Sequence, residues 1–358
     1  MLKKATALFL VCTALAVSLS CGKVGNHYLY AAIPQSSEIL VYREDPNSGA
    51  LTPLSSSPFT AGPEVQSLVI HPSKQFLYAA NPSENDISLF LIAADGSITE
   101  QTPRTSVTPL GGITPFVLVM DPTGSYLYVA NAESNNILVF SIDSSGNLNA
   151  VGTPVQLGLT PLNMMLSANG NFLYVTGTIS QGYVEVFSVN AGVLSFVQSQ
   201  LTGDNPYGLA IAVESSSSSF LYTANFTDNS ISEFSIDSSS GELTELANSP
   251  LGETYTSPVF LLVDNSEKYL YVANEGSGNL TAYSIASDGG LALLSNSPFS
   301  ANAQPSVIAI DPSGQYLFVG NQKSAAIESF SLAVSSGSLS EVGSYSVGST
   351  PTSIAVIP

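Results

Sequence analysis

The chain has 358 residues, 44% of them hydrophobic and only 10% charged, which is a globular rather than a disordered composition and enough for a large core. Eight Lys and Arg face 27 Asp and Glu, for a net charge of −19. Such a field repels nucleic acid and anionic lipid headgroups and discourages phosphorylated substrates, so nucleic acid is not an expected partner.

The first twenty residues differ from the rest. Lys3 and Lys4 give a positive start, and Ala5 to Leu19 form an uncharged, mostly apolar run. Spanning a bilayer takes about 20 residues, so the run fits a secretory signal better than a membrane helix. It ends in Val17-Ser-Leu-Ser-Cys21-Gly22, a small residue before a Cys followed by Gly, which resembles the bacterial lipobox. Ser18 stands where Leu is more typical, and the alternative is an ordinary signal peptide cleaved nearby. The expectation is a lipoprotein-type signal peptide over 1–20, a short tether over 21–26 and a folded domain over 27–358. Lipidated Cys21 would hold the protein to a membrane of the bacterial cell envelope. Cys12 leaves with the signal peptide, so Cys21 is the only remaining cysteine, and neither an internal disulfide nor a Cys-based metal site can form.

From Tyr28 onward one pattern recurs. The triplet aromatic-Leu-aromatic occurs seven times, with its central leucines at Leu29, Leu77, Leu127, Leu173, Leu221, Leu270 and Leu317. The spacings are 48, 50, 46, 48, 49 and 47 residues, a period that marks a solenoid or a propeller. Each triplet opens a strand such as Tyr126-Leu-Tyr-Val-Ala-Asn131, rich in residues that suit a pleated surface. A second strand follows, as in Ile137-Leu-Val-Phe-Ser-Ile142, and then a turn such as Asp143-Ser-Ser-Gly146, in which Gly supplies a positive φ. Ahead of each triplet lies a nearly continuous apolar segment, Pro115 to Met120 or Pro305 to Ile310. Continuous apolarity predicts burial on both faces, as for the innermost strand of a blade. Its hairpin is Asp121-Pro-Thr-Gly124 or Asp311-Pro-Ser-Gly314. Four strands per unit at this period make a propeller blade. No segment after the signal shows a 3.6-residue period, so helices are negligible.

The ends decide the topology. The folded part starts at a triplet without the inner strand that should precede it. It stops at Pro351-Thr-Ser-Ile-Ala-Val-Ile-Pro358, an inner strand with nothing after it. The C-terminal strand therefore completes the N-terminal blade and removes the edges an open array would leave. An open solenoid would use shorter repeats, and two stacked sandwiches would not hold one register over seven units. The prediction is an all-β, closed seven-bladed β-propeller with four-stranded antiparallel blades.

The Tyr-Val-Ala-Asn strands, the Asp-Pro-Ser/Thr-Gly hairpins and Tyr174-Val-Thr-Gly177 resemble the lactonase-like group of bacterial propellers. That group is named for Tyr-Val-Thr-Asn repeats and includes members similar to 6-phosphogluconolactonase and the carboxymuconate cycloisomerases. The resemblance covers the whole folded part and rests on blade-building motifs, which specify fold more than activity. It implies Arg, His and Glu side chains around the central channel that handle an anionic substrate. Here the only histidines are His27 and His71 and the only arginines are Arg43 and Arg104, so no catalytic residue carries over by position.

Candidate sites follow from loop position. Propeller ligands meet the face formed by the loops after the triplet strand and before the inner strand. Five triplet strands end there in Asn: Asn81, Asn131, Asn225, Asn274 and Asn321. They form either a ring of amides for sugar or peptide groups, or clasps on their own turns. Acidic residues follow in the same loops (Glu84, Asp86, Glu133, Asp228, Glu275), without the spacing of a calcium loop, so neither a metal nor a cofactor is expected. Arg104 and Lys323 are the basic residues nearest this face. In a lactonase they would bind the substrate carboxylate, with Glu133 or Glu275 as the base. The leading reading is a lipid-anchored scaffold that binds a protein or carbohydrate through its loop face. The alternative is a lactone hydrolase or a cycloisomerase-like enzyme.

Overall fold

The computed structural model describes residues 27–215, 218–252, 254–301 and 303–357, so the expected signal peptide and tether, with Cys21, lie outside the described residues. Seven antiparallel sheets follow one another along the chain as blades 1 to 7. Blade 3 shows the plan: an inner strand Pro115–Met120, a second strand Tyr126–Asn131, a third Asn136–Ile142 and an outer Leu148–Gln156, paired in that order. Three short 3-10 helices, at Pro34–Ser36, Pro82–Glu84 and Thr108–Leu110, are the only helical turns among the described residues.

The ring closes as the repeat requires. The C-terminal strand Ser353–Ile357 pairs with the N-terminal strand His27–Ile33, Tyr28 opposite Ile357 and Ala32 opposite Ser353. Blade 1 is therefore built from both ends of the chain. Its inner strand also touches those of blades 2 and 7, as each inner strand touches its neighbours around the ring.

One expectation is reversed. The apolar inner strand is only partly buried, whereas the second strand is buried along its length: Leu127, Tyr128, Val129, Ala130 and Asn131 are all 0% exposed. The reason is geometric. The second strand has a strand on each side and a neighbouring blade against each face, while the inner strand's free edge is the channel wall. Outer strands also depart from the plan. In blades 1, 5 and 6 the outer strand is split, at Leu51–Pro53 and Phe59–Thr60 in blade 1. A Ser-Pro step occupies each gap, and Ser57, Ser249 and Ser297 accept the third-strand N–H of Val41, Glu233 and Ala282, so no ladder donor is orphaned.

The triplet and the turn glycine prove to be two halves of one joint between blades. The third residue of the triplet sends its hydroxyl into the next blade's turn: Tyr78 donates to the Gly146 carbonyl at 2.7 Å, Tyr222 to Gly289 at 2.8 Å and Tyr271 to Gly337 at 2.9 Å. The first aromatic lies over the same glycine. Gly146 has φ of +84°, and a Cβ there would meet the Phe76 ring 2.7 Å away, so both the backbone and the space demand glycine. Each buried hydroxyl bond contributes about 1 kcal/mol, and five of the seven joints have one, from Tyr30, Tyr78, Tyr174, Tyr222 and Tyr271.

Candidate functional site at the channel mouth

A Pro stands at or just beside the start of each inner strand (Val65 in blade 2), and the residue after it points into the channel on the loop face. The seven are Gln66, Phe116, Leu162, Tyr207, Val259, Ser306 and Thr352, and with the layer below they line a cavity of about 220 Å³. A second cavity of about 350 Å³ adjoins it over blades 1 to 3, lined by Gln35, Glu64, Thr114 and Pro82 and sharing Gln66 and Phe116. The ring has two sides. Blades 3 to 6 contribute Phe116, Leu162, Tyr207 and Val259, while blades 7, 1 and 2 contribute Ser306, Thr352 and Gln66.

Several polar groups of the channel already bridge inner strands. Thr352 Oγ1 donates to the Gln66 carbonyl at 3.0 Å, Ser306 Oγ to the Pro351 carbonyl at 3.2 Å, and Asn163 Nδ2 to the Tyr207 carbonyl at 2.9 Å. Ser67 and Ser353 accept the backbone N–H of Leu118 and Leu68 in the following blades. These bonds hold neighbouring blades in register and use the hydroxyl protons of Ser306 and Thr352, whose oxygens line the cavity as acceptors. Tyr207 is 36% exposed and packs edge-on against Phe226, which fixes its ring beside the opening. Among the described residues, Glu64 is the only carboxylate lining either cavity. It is exposed, accepts the Ser83 hydroxyl at 2.5 Å, and has φ of +57°, a strained setting for a residue with a Cβ. Thr114, Asn205, Ser257 and Gln304 hold the same left-handed position ahead of their inner-strand prolines.

The residues singled out from loop position lie elsewhere. Asn81, Asn131, Asn225, Asn274 and Asn321 are 0% exposed. Their amides clasp the third strand of their own blade: Asn81 donates to Asp86 and Ser88, Asn225 to Ser230 and Ser232, Asn274 to Asn279 and Thr281. Asn131 donates to Asn136 and Asn321 to Glu328. They lie under the mouth as hairpin clasps, and no amide ring faces the channel. Arg104 belongs to the outer strand Ile98–Ser106 of blade 2. Glu84 at 2.5 Å and Glu100 at 2.6 Å hold its guanidinium there, with Asp86 at 3.9 Å, and these partners raise its pKa further, the Glu100 hydrogen bond foremost. Glu133 is exposed and accepts the Thr114 hydroxyl at 3.2 Å. Glu275 is half-buried, which raises its pKa, and Lys323 is exposed. These four sit on blades 2, 3, 6 and 7, and none lines either cavity. The ring that does line the channel carries no repeated residue type. Its sequence signal is the position after the inner-strand Pro.

The family described as lactonase, seven-bladed β-propeller, matches residues 23–161 and 253–356. The chain belongs to this family. Among solved structures, this lactonase-family propeller is similar to a candidate 6-phosphogluconolactonase of Bacteroides fragilis (TM-score 0.79, 17% identity, 94% of this chain and 99% of that one). It is also similar to a Lactobacillus plantarum protein (TM-score 0.78, 19% identity, 93% and 99%) and to the periplasmic gluconolactonase of Pseudomonas aeruginosa (TM-score 0.73, 20% identity, 93% and 99%). At these identities the likeness is one of fold. No curated protein matches the chain in sequence.

Proposed function

We propose that this lactonase-family propeller works outside the cytoplasm, binds a neutral sugar lactone at the channel mouth and hydrolyses it, with Glu64 as general base. The observation that carries the reading is the two-sided ring, Phe116 and Tyr207 on one arc and Ser306, Thr352 and Gln66 on the other. A sugar lactone has the matching character, with C–H faces for aromatic rings and hydroxyl and carbonyl oxygens for hydrogen bonds. The net charge of −19 and the acidic loops favour a neutral lactone over a phosphorylated one. Family membership and the likeness to a periplasmic gluconolactonase support the substrate class and the location. Hydrolysis adds water to the carbonyl carbon and breaks the ring C–O bond. Glu64 is suited to take the water's proton, and the Gln66 amide to donate to the carbonyl oxygen as it gains charge.

A second reading rests on a specific observation: apart from Tyr207, the seven-residue ring holds no ionisable side chain. It is a scaffold, lipid-anchored through Cys21, that binds a carbohydrate or protein partner without turnover. The apolar run and the lipobox-like Cys21 support the anchor.

Gluconolactone opening at mildly acidic pH, where the uncatalysed reaction is slow, separates the two. The expected result is acceleration above the blank, a kcat reduced about 100-fold in Glu64→Gln and a raised KM in Tyr207→Ala. Full activity in Glu64→Gln removes that residue as base, and binding without acceleration leaves the scaffold reading. In the same preparations Cys21→Ala should move the protein from the detergent phase to the aqueous one, and unchanged partitioning rejects the anchor.

A further inference from the structure

On the face opposite the channel mouth, the joint between blades 7 and 1 holds a feature absent from the other six. Glu44 ends the third strand of blade 1, opposite His27, and is 1% exposed. The same register position in blades 2 to 7 is Ile92, Ile142, Val189, Ile236, Ile285 and Leu332. A carboxylate thus replaces a core aliphatic side chain at one seam of seven.

Neither Glu44 oxygen has a hydrogen-bond partner among the described residues. Three other buried glutamates each have a donor: Glu185 accepts the Gly158 N–H at 2.9 Å, Glu233 the Leu291 N–H at 3.1 Å, and Glu328 the Asn321 amide at 2.9 Å. What faces Glu44 instead is the His27 Nδ1, 3.6 Å away and itself buried without a hydrogen bond, and the Asp311 carboxylate of blade 7, 0% exposed. One ligand atom from each of the three lies within 4.8 Å of the others. A bare buried carboxylate beside a second one is strongly unfavourable without a cation.

We propose that His27, Glu44 and Asp311 form a binding site for a divalent transition-metal ion of the zinc class, which fastens the closing seam of the propeller. One imidazole and two carboxylates are a donor set that zinc accepts, with a water in the fourth position. Tetrahedral donors about 2.1 Å from zinc lie roughly 3.4 Å apart, close to the His27–Glu44 spacing, so Asp311 is the group that must swing in. Its Oδ1 accepts the Gln315 and Tyr316 N–H groups and its Oδ2 accepts the N–H and hydroxyl of Ser313. The Ser313 hydroxyl is the one donor that can rotate away and free a lone pair for the metal. The ion would then join the first residue of the N-terminal strand, its hairpin partner and the last full blade. The site lies apart from the channel mouth and does not depend on lactone chemistry.

The test is calorimetric titration of chelator-treated full chain with zinc chloride, alongside calcium chloride. The expected result is one zinc per chain, calcium far weaker, and a zinc-dependent rise in Tm. Glu44→Gln, similar in shape, should lower zinc affinity about 100-fold. Glu44→Leu restores the residue class of the other six blades, so it should fold and show no zinc-dependent rise in Tm. Absence of zinc binding at millimolar concentration, calcium binding as tightly as zinc, or unchanged zinc affinity in Glu44→Gln each overturns the proposal.

Discussion

The joint between blades 2 and 3 and the joint between blades 7 and 1 perform the same task with different atoms. In the first, Phe76 covers Gly146 and the Tyr78 hydroxyl reaches the Gly146 carbonyl. In the second, Tyr316 covers Gly49, but Phe318 replaces the tyrosine and has no hydroxyl. Ser329, on the neighbouring strand, supplies it, donating to the Gly49 carbonyl at 2.6 Å. The requirement is therefore a donor for a buried carbonyl rather than a particular residue. The closing joint differs in a second way, because blade 1 beyond it is held together by strand pairing between the two ends of the chain, where the other blades have a hairpin between inner and second strand. It also buries Glu44 where the other joints bury an aliphatic group.

The largest test of this contrast removes the closing strand. Deleting residues 351–358 leaves the Tyr28 to Ala32 edge unpaired and exposes the apolar faces that Ile354 and Val356 cover. The lost ladder bonds and buried area are on the order of 5–10 kcal/mol, comparable with the whole stability of a domain. The expected outcome is aggregated protein without a cooperative thermal transition. A soluble monomer with the parent Tm would mean that the ring does not depend on closure.

A smaller effect distinguishes joints that are alike in sequence. Tyr78 and Tyr128 occupy the same place in successive triplets and both are 0% exposed. Tyr78 has its carbonyl partner, whereas the Tyr128 hydroxyl has no hydrogen-bond partner among the described residues. Tyr78→Phe should therefore cost about 1 kcal/mol, and Tyr128→Phe should be neutral or slightly stabilising. Denaturant midpoints of the two variants provide the comparison, and equal losses would show that the hydroxyls are not what distinguishes the joints.

The framework was legible in the sequence because each blade repeats the same physical problem. The aromatic triplets, the turn glycines and the C-terminal Pro351 to Pro358 segment all report joints that recur, so their spacing carries the fold. Burial was less legible. The inner and second strands are both apolar, and only the closed ring shows which one forms the channel wall. Asn81 and its four counterparts read as clasps on their own turns before they read as ligand amides, but composition alone does not show that they point under the mouth. Arg104 was placed by loop counting, which does not reveal that Glu84 and Glu100 hold it on an outer strand. The mouth residues Gln66, Phe116 and Tyr207 escaped because a binding surface has no reason to repeat from blade to blade. Glu44 is the reverse case. It breaks a repeat, but the break becomes visible only once strand register aligns it with Ile92 and Ile142.

The smallest predicted effect concerns buried acids with and without a donor. Glu233 of blade 5 crosses a joint to accept the Leu291 N–H of blade 6, and burial still raises its pKa against that bond, with Asp288 adding to the rise. A carboxyl raised in the folded state ionises first in the unfolded chain, so its stabilising contribution is complete below the unfolded pKa. It is lost as pH climbs through the folded value. Glu233→Gln keeps an acceptor oxygen for Leu291 and removes the charge. The variant should therefore gain on the parent as pH rises from weakly acidic to weakly basic, by about 1 kcal/mol or less, in Tm measured across that range. A gap that stays constant with pH would show that Glu233 is ionised at no cost. The Leu291 N–H alone would then suffice to hold a buried carboxylate, and the lack of such a donor would become the whole difference between Glu233 and Glu44.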